Sequence, residues 1–312
     1  MTASAAPATD PHDAPGIHLS GAGLMSLRHL ARRGVSPSTR TIAGLPGGIV
    51  TRKRGRGSEP DDVRPWSEGD DRRFIDRNAT ARTGELHVRT HHDERDRAVV
   101  LLADFRPSML FGTRRALRSV AAAEALALLG WRIVGDGGRI GLIVASAGEP
   151  AVVRPAGGER AMTAVTGALA HAHAAALAAT AKDDPPLTDT LALARSLLPS
   201  GGHLVLASAL DAPGPDWESL LTALAERLSI RLLLVSDAFE RQRRPGFYPY
   251  ALPDGRRGTV EARPGAPAVE TGGADDPRLA RLHACGVESL RIDVEGGPES
   301  YAPLMERLDA VL

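Results

Sequence analysis

Residues 64–108 read R-P-W-S-E-G-D-D-R-R-F-I-D-R-N-A-T-A-R-T-G-E-L-H-V-R over 64–89, then an acid/base cluster, then V-V-L-L-A-D-F-R-P-S over 99–108. A dense charged segment runs directly into an apolar run of strand length, which ends on Asp104 with Ser108 four residues on. Continuous apolar strands of this kind belong to parallel sheets buried on both faces. The layout presents an aspartate and a hydroxyl at the crevice of an α/β sheet, with Arg106 between them.

Working outward, the same pattern recurs. Further strands are expected at 139–145, 203–207, 230–235 and 289–294, and helices at 114–133, 159–181, 188–198, 217–228 and 301–311. Strand and helix alternate, so the predicted fold is a doubly wound, mostly parallel α/β sheet covered on both faces. Upstream, residues 24–33 have apolar residues at helical spacing. The segment 245–273 is rich in Gly, Pro and Arg and reads as a surface excursion. The expected organisation is a disordered tail at 1–15, an N-terminal helix and charged segment at 16–97, and the sheet domain at 98–312.

Composition narrows the function. Lys+Arg and Asp+Glu are equal at 38 each, so no net field steers nucleic acid or an anionic membrane. The short basic patch at 51–57 lacks interleaved aromatics and reads as solvated surface. The lone Cys285 excludes an internal disulfide framework and a cysteine-based zinc site. The first fifteen residues lack a basic start followed by an apolar run, so no signal peptide is expected. The low-charge run at 161–181 is mostly alanine and carries His171 and His173. It reads as a soluble helix and not as a membrane span, and the expected location is cytoplasmic.

Sheet crevices lie at the carboxyl ends of strands. The candidate loops are 104–113, the approach to Thr188, and 208–214. No G-x-G-x-x-G, G-x-x-x-x-G-K or G-x-S-x-G is present, which argues against those nucleotide-binding and serine-hydrolase classes. His91–His92 and His171–His173 lack the i,i+4 spacing of a helical metal site. The acids Glu68, Asp70, Asp71 and Asp76 sit among arginines that would keep them ionised and poor as general acids. Arginine can hold carboxylates two-pronged, so the charged run reads as an ordered, ion-paired segment docked on the sheet.

The run from 63 to 89, with Arg64, Gly69, Asp70, Arg73, Asp76 and Arg82 in register, resembles the signature of the domain of unknown function 58 family. The likeness covers roughly 20–312 and is densest from 64 to 113. Trp66 stands where tyrosine is usual, and Arg77 where tryptophan is usual. That family is similar to von Willebrand factor A domains. Many of these hold Mg²⁺ through a D-x-S-x-S loop, a threonine on a second loop and an aspartate on a third, because a hard cation takes oxygen ligands.

The resemblance places Asp104 and Ser108 at the first and last positions of the first loop, with Arg106 replacing the middle serine. A guanidinium has donors only and cannot ligate a cation. It is expected to pair with Asp104 or to reach a partner's carboxylate. Thr188 matches the second loop, Thr190 being the next choice, with a helix N-cap as its other reading. Ala209 stands where the third-loop aspartate would be, and Asp211 is the nearby substitute, its other reading a turn role before Pro213. The expectation is therefore no cofactor, Mg²⁺ included. The resemblance further implies a non-enzymatic adaptor working with a MoxR-type AAA+ ATPase in a chaperone-like assembly. A metal-dependent hydrolase using Asp104 and nearby acids is the alternative.

Overall fold

A computed structural model describes residues 16–33, 60–67, 75–91, 97–181, 183–241, 245–251, 257–262, 276–309 and 312. The chain divides into two compact units, one holding the sheet and the N-terminal helices, the other the segment between them.

The smaller unit carries strands β1 (Pro60–Pro65) and β2 (His87–His91), paired antiparallel, and helix α3 (Arg77–Thr83). Asp76 caps α3, its carboxylate accepting from the Ala79 amide at 2.8 Å. Gly84 ends the helix in the left-handed conformation at φ 78°. The Thr80 hydroxyl accepts from the His87 amide at 3.0 Å and ties helix to strand. The stretch T-A-R-T at 80–83 is the last turn of α3, and Gly84 is its stop. Arg82 lies exposed in that last turn, where a cation complements the helix dipole. Arg64 lies on β1. Gly69, Asp70 and Arg73, with Glu68 and Asp71, lie outside the described residues.

The larger unit begins with helices α1 (Gly21–Ser26) and α2 (Arg28–Arg33) and continues from β3 (Ala98–Asp104). After it come α4 (Arg118–Gly135), β4 (Arg139–Ala145), β5 (Ala151–Gly157), α5 (Gly158–Ala178), α6 (Leu187–Ala192), α7 (Ala194–Leu197) and β6 (His203–Ser208). The chain completes the unit with α8 (Trp217–Ala225), β7 (Ser229–Ser236), α9 (Ala238–Arg241), β8 (Gly246–Ala251), β9 (Arg257–Ala262), α10 (Pro277–Ala284), β10 (Glu288–Asp293) and α11 (Gly297–Asp309).

The main sheet has the order β10-β7-β6-β3-β4-β5. Counting from its first strand, β3, this is the 3-2-1-4-5-6 order of a doubly wound fold. All neighbours pair in parallel except the edge strand β5, which is antiparallel to β4. The predicted fold class is thus observed, and each of the five expected strands is present.

Period-two alternation along β3 builds two cores. Val99, Leu101 and Ala103 face α4, α5 and α11, with Leu24, Leu27 and Leu30 of the N-terminal region. Val100 and Leu102 face Leu187, Leu221, Leu224 and Leu282 on the other side. The first helices therefore belong with the sheet, and the expected single segment 16–97 is divided between the two units. α5, long and apolar enough by length and composition to cross a membrane, packs here against β4, β5 and α4 with Met162, Val165 and Leu169 buried.

β5 was not expected: its residues alternate between half-buried and exposed, and Pro155 interrupts the run, which an edge strand tolerates. The expected surface excursion at 245–273 holds a two-stranded antiparallel pair, β8–β9, and α10 follows it. The expected helix at 188–198 is two short ones, α6 and α7.

Candidate functional site

Asp104 ends β3 and is fully buried. Three residues on, Pro107 restricts the preceding residue to extended backbone, and Arg106 has φ −63° and ψ 162°. The Arg106 side chain folds back over the strand end. Its Nε donates to Asp104 Oδ1 at 2.9 Å and its Nη2 to Oδ2 at 2.9 Å, a two-pronged pair. The Arg106 amide also donates to Oδ1, at 3.1 Å, and the Ser208 hydroxyl to Oδ2, at 2.6 Å. Ser208 is the last residue of β6, and its own oxygen accepts from the Leu210 amide at 3.0 Å.

The other terminal nitrogen, Nη1, spans the remaining loops. It donates to the Pro185 carbonyl at 2.8 Å and the Ala212 carbonyl at 2.7 Å, and lies 3.9 Å from an Asp184 carboxylate oxygen. The second and third loops also fasten to each other: the Leu187 amide donates to the Pro213 carbonyl at 3.0 Å. Gly214, at φ 99°, approaches Pro186 so closely that a Cβ would lie 2.9 Å from that ring. Burial lowers the Arg106 pKa, but the Asp104 hydrogen bonds and the charges of Asp104, Asp184 and Asp211 outweigh it, so the net shift is upward.

A second tier lies above this one. Arg118, the first residue of α4, donates to Asp211 at 2.6 Å and Glu240 at 2.6 Å, and stacks 4.9 Å from the Phe111 ring centre. Arg278 pairs with Asp276 at 2.8 Å and Glu240 at 3.1 Å, and donates to the Ala209 carbonyl at 2.7 Å. Asp276 is the N-cap of α10, and burial, which would raise its pKa, is overcome by the Arg278 hydrogen bonds, so its pKa is held down. The rim of this tier is a groove of about 570 Å³ lined by Pro107, Leu110, Phe111, Asp211 and Phe239.

Of the sequence-predicted residues, Asp104 and Arg106 meet, and Ser108 joins them through its backbone amide, which donates to Asp184 at 2.9 Å. Three expectations are corrected. Arg106 is 1% exposed, so it is an internal strut and does not reach a partner's carboxylate. Thr188 is not an N-cap: that position is Pro186, and Thr188 lies half-buried inside α6. The second-loop side chain that reaches the crevice is Asp184. Asp211 neither replaces the missing third-loop aspartate beside Asp104 nor serves only as a turn residue; Arg118 takes its carboxylate.

Sequence reasoning missed Asp184, Ser208, Arg118, Arg278, Glu240 and Asp276. The signals were a serine closing the apolar run H-L-V-L-A-S, an arginine opening the alanine-rich helix, and the Asp-Pro start of a helix.

With Arg106 in place, the site does not fit a metal ion. A carboxylate has about four lone-pair sites, and the four donors from Arg106 and Ser208 use those of Asp104. Among the described residues, no group of three or more His, Cys, Asp or Glu is placed to hold a metal ion.

Comparison with known proteins agrees with the signature. The family described as "Protein of unknown function DUF58" matches residues 62–260. Uncharacterized proteins of Mycobacterium tuberculosis and Mycobacterium bovis are each 36% identical over 92 residues, which is 30% of this chain and 29% of theirs. Among solved structures, BatB from Bacteroides thetaiotaomicron is 15% identical with a TM-score of 0.41, covering 67% of this chain and 98% of that one. A von Willebrand factor type A protein from Catenulispora acidiphila is 14% identical with a TM-score of 0.41, covering 72% and 44%.

Proposed function

The chain belongs to the DUF58 family of proteins of unknown function, and we propose that it is a non-enzymatic interaction module whose binding edge is the rim of the carboxyl-end groove. The observation that carries this reading is the saturation of the crevice. Among the described residues, Asp104, Arg106, Arg118 and Arg278 are buried and engaged with one another's partners, so the charges at the base of the crevice are committed to holding its loops. What the crevice offers outward is shape: Phe111 at 37% exposure, and Asp211 with 39% of its side chain exposed, beside Ser108. A rim of apolar and polar groups on a rigid base suits protein recognition. The family resemblance points to a MoxR-type AAA+ ATPase as the partner, and the reading of residues 161–181 as a soluble helix points to a cytoplasmic setting.

The test uses the purified chain and a purified MoxR-type ATPase from the same organism. Phe111→Ala and Asp211→Asn are expected to weaken binding at least about tenfold, the loss of a contact of roughly 1.4 kcal/mol or more, with circular dichroism unchanged. Unchanged affinity in both variants would remove the rim from the interface. Bound Mg²⁺ together with hydrolytic turnover would favour the enzyme instead.

A further inference from the structure

We propose that the Arg106 guanidinium is a resident internal cation: it performs, permanently and without metal, the task of holding three crevice loops around one positive centre. The geometry is specific. One planar group grips the strand end at Asp104 through two parallel hydrogen bonds. It then reaches the second loop at Pro185 and the third loop at Ala212 through a single nitrogen. The Asp184 carboxylate completes the shell at 3.9 Å and also anchors the first loop by accepting from the Ser108 amide. The ligands are thus all oxygens, two carboxylates and two carbonyls, drawn from three loops.

A hard divalent ion would select such a set, and here the centre is covalently attached and 1% exposed. A bound ion can be removed; this one cannot, so the loops keep a single arrangement across divalent-ion conditions. The inference concerns the chain alone and stands whether or not the rim binds a partner.

The experiment follows thermal unfolding of the full chain in EDTA and in MgCl₂, with calorimetric titration of MgCl₂ as the probe. The unaltered chain is expected to melt at the same temperature in both and to take up no Mg²⁺. Arg106→Ser leaves the oxygens without a centre and is expected to melt roughly 10 °C lower in EDTA, with part of that loss restored by Mg²⁺. Arg106→Lys keeps the charge without the fork and is expected to fall between the two. Three results would overturn the proposal: Mg²⁺ stabilising or binding the unaltered chain, Arg106→Ser melting normally in EDTA, or Arg106→Ser gaining nothing from Mg²⁺. Should Arg106→Ser fail to fold, the titration of the unaltered chain and the Arg106→Lys melt still decide it.

Discussion

At the scale of single residues, buried charge organises this molecule. Arg106 and Asp104 are 1% and 0% exposed, and a buried pair of this kind is costly to break because removal of one member strands the other. His173 is the opposite case, a buried group kept neutral. It shares a 2.9 Å hydrogen bond with the Ser119 hydroxyl and meets the Phe105 ring edge-on. Burial, with a smaller contribution from the charge of His18, lowers its pKa to about 4.

The unfolded chain then binds the extra proton first. This contribution to stability is full above the ordinary histidine value near pH 6.5, and it is lost as pH falls toward 4. The loss is expected to reach roughly 3 kcal/mol. Denaturant titrations at pH 7, 5.5 and 4 check this against His173→Leu, which should show a flatter profile. An equal slope in both chains would assign the pH dependence to other groups.

At the scale of elements, what the sequence revealed depended on periodicity. The four inner parallel strands, β3, β4, β6 and β7, are buried on both faces and read as largely apolar runs, so their positions were legible; β10, at the sheet edge, is only partly buried and alternates. Asp104 and Arg106 were legible for the same reason, since a charged residue ending such a run marks the carboxyl edge. β5 was not, because a half-exposed edge strand with Pro155 carries no such run. Asp184 was not, because it lies in K-D-D-P-P, where nothing local separates one aspartate from its neighbour. Apart from Asp276, the partners of Arg118 and Arg278 come from elements far apart in sequence and appear only once the strand order is known.

Loop packing belongs to this scale too. Gly214 combines φ 99° with contact against Pro186, so Gly214→Ala meets both strain and a clash. Its expected cost is about 1–3 kcal/mol, read from the denaturation midpoint. An unchanged midpoint would mean that the second and third loops are not clamped at this point.

At the scale of the whole molecule, charges sum to zero and the sheet buries its faces, and the proposed reading assigns recognition to the carboxyl edge. The smaller unit, with its capped helix and two-stranded sheet, holds Arg64, Asp76 and Arg82 of the family signature. Those residues do not mark a second reactive centre in any described contact: Asp76 is committed to capping α3.

The most direct measurement of the central claim is the affinity of the purified chain for a purified MoxR-type ATPase in excess EDTA and in MgCl₂, with nucleotide absent. An interaction edge held by Arg106 predicts binding of the same strength in both. Loss of binding in EDTA, or no binding in either buffer, would contradict the account.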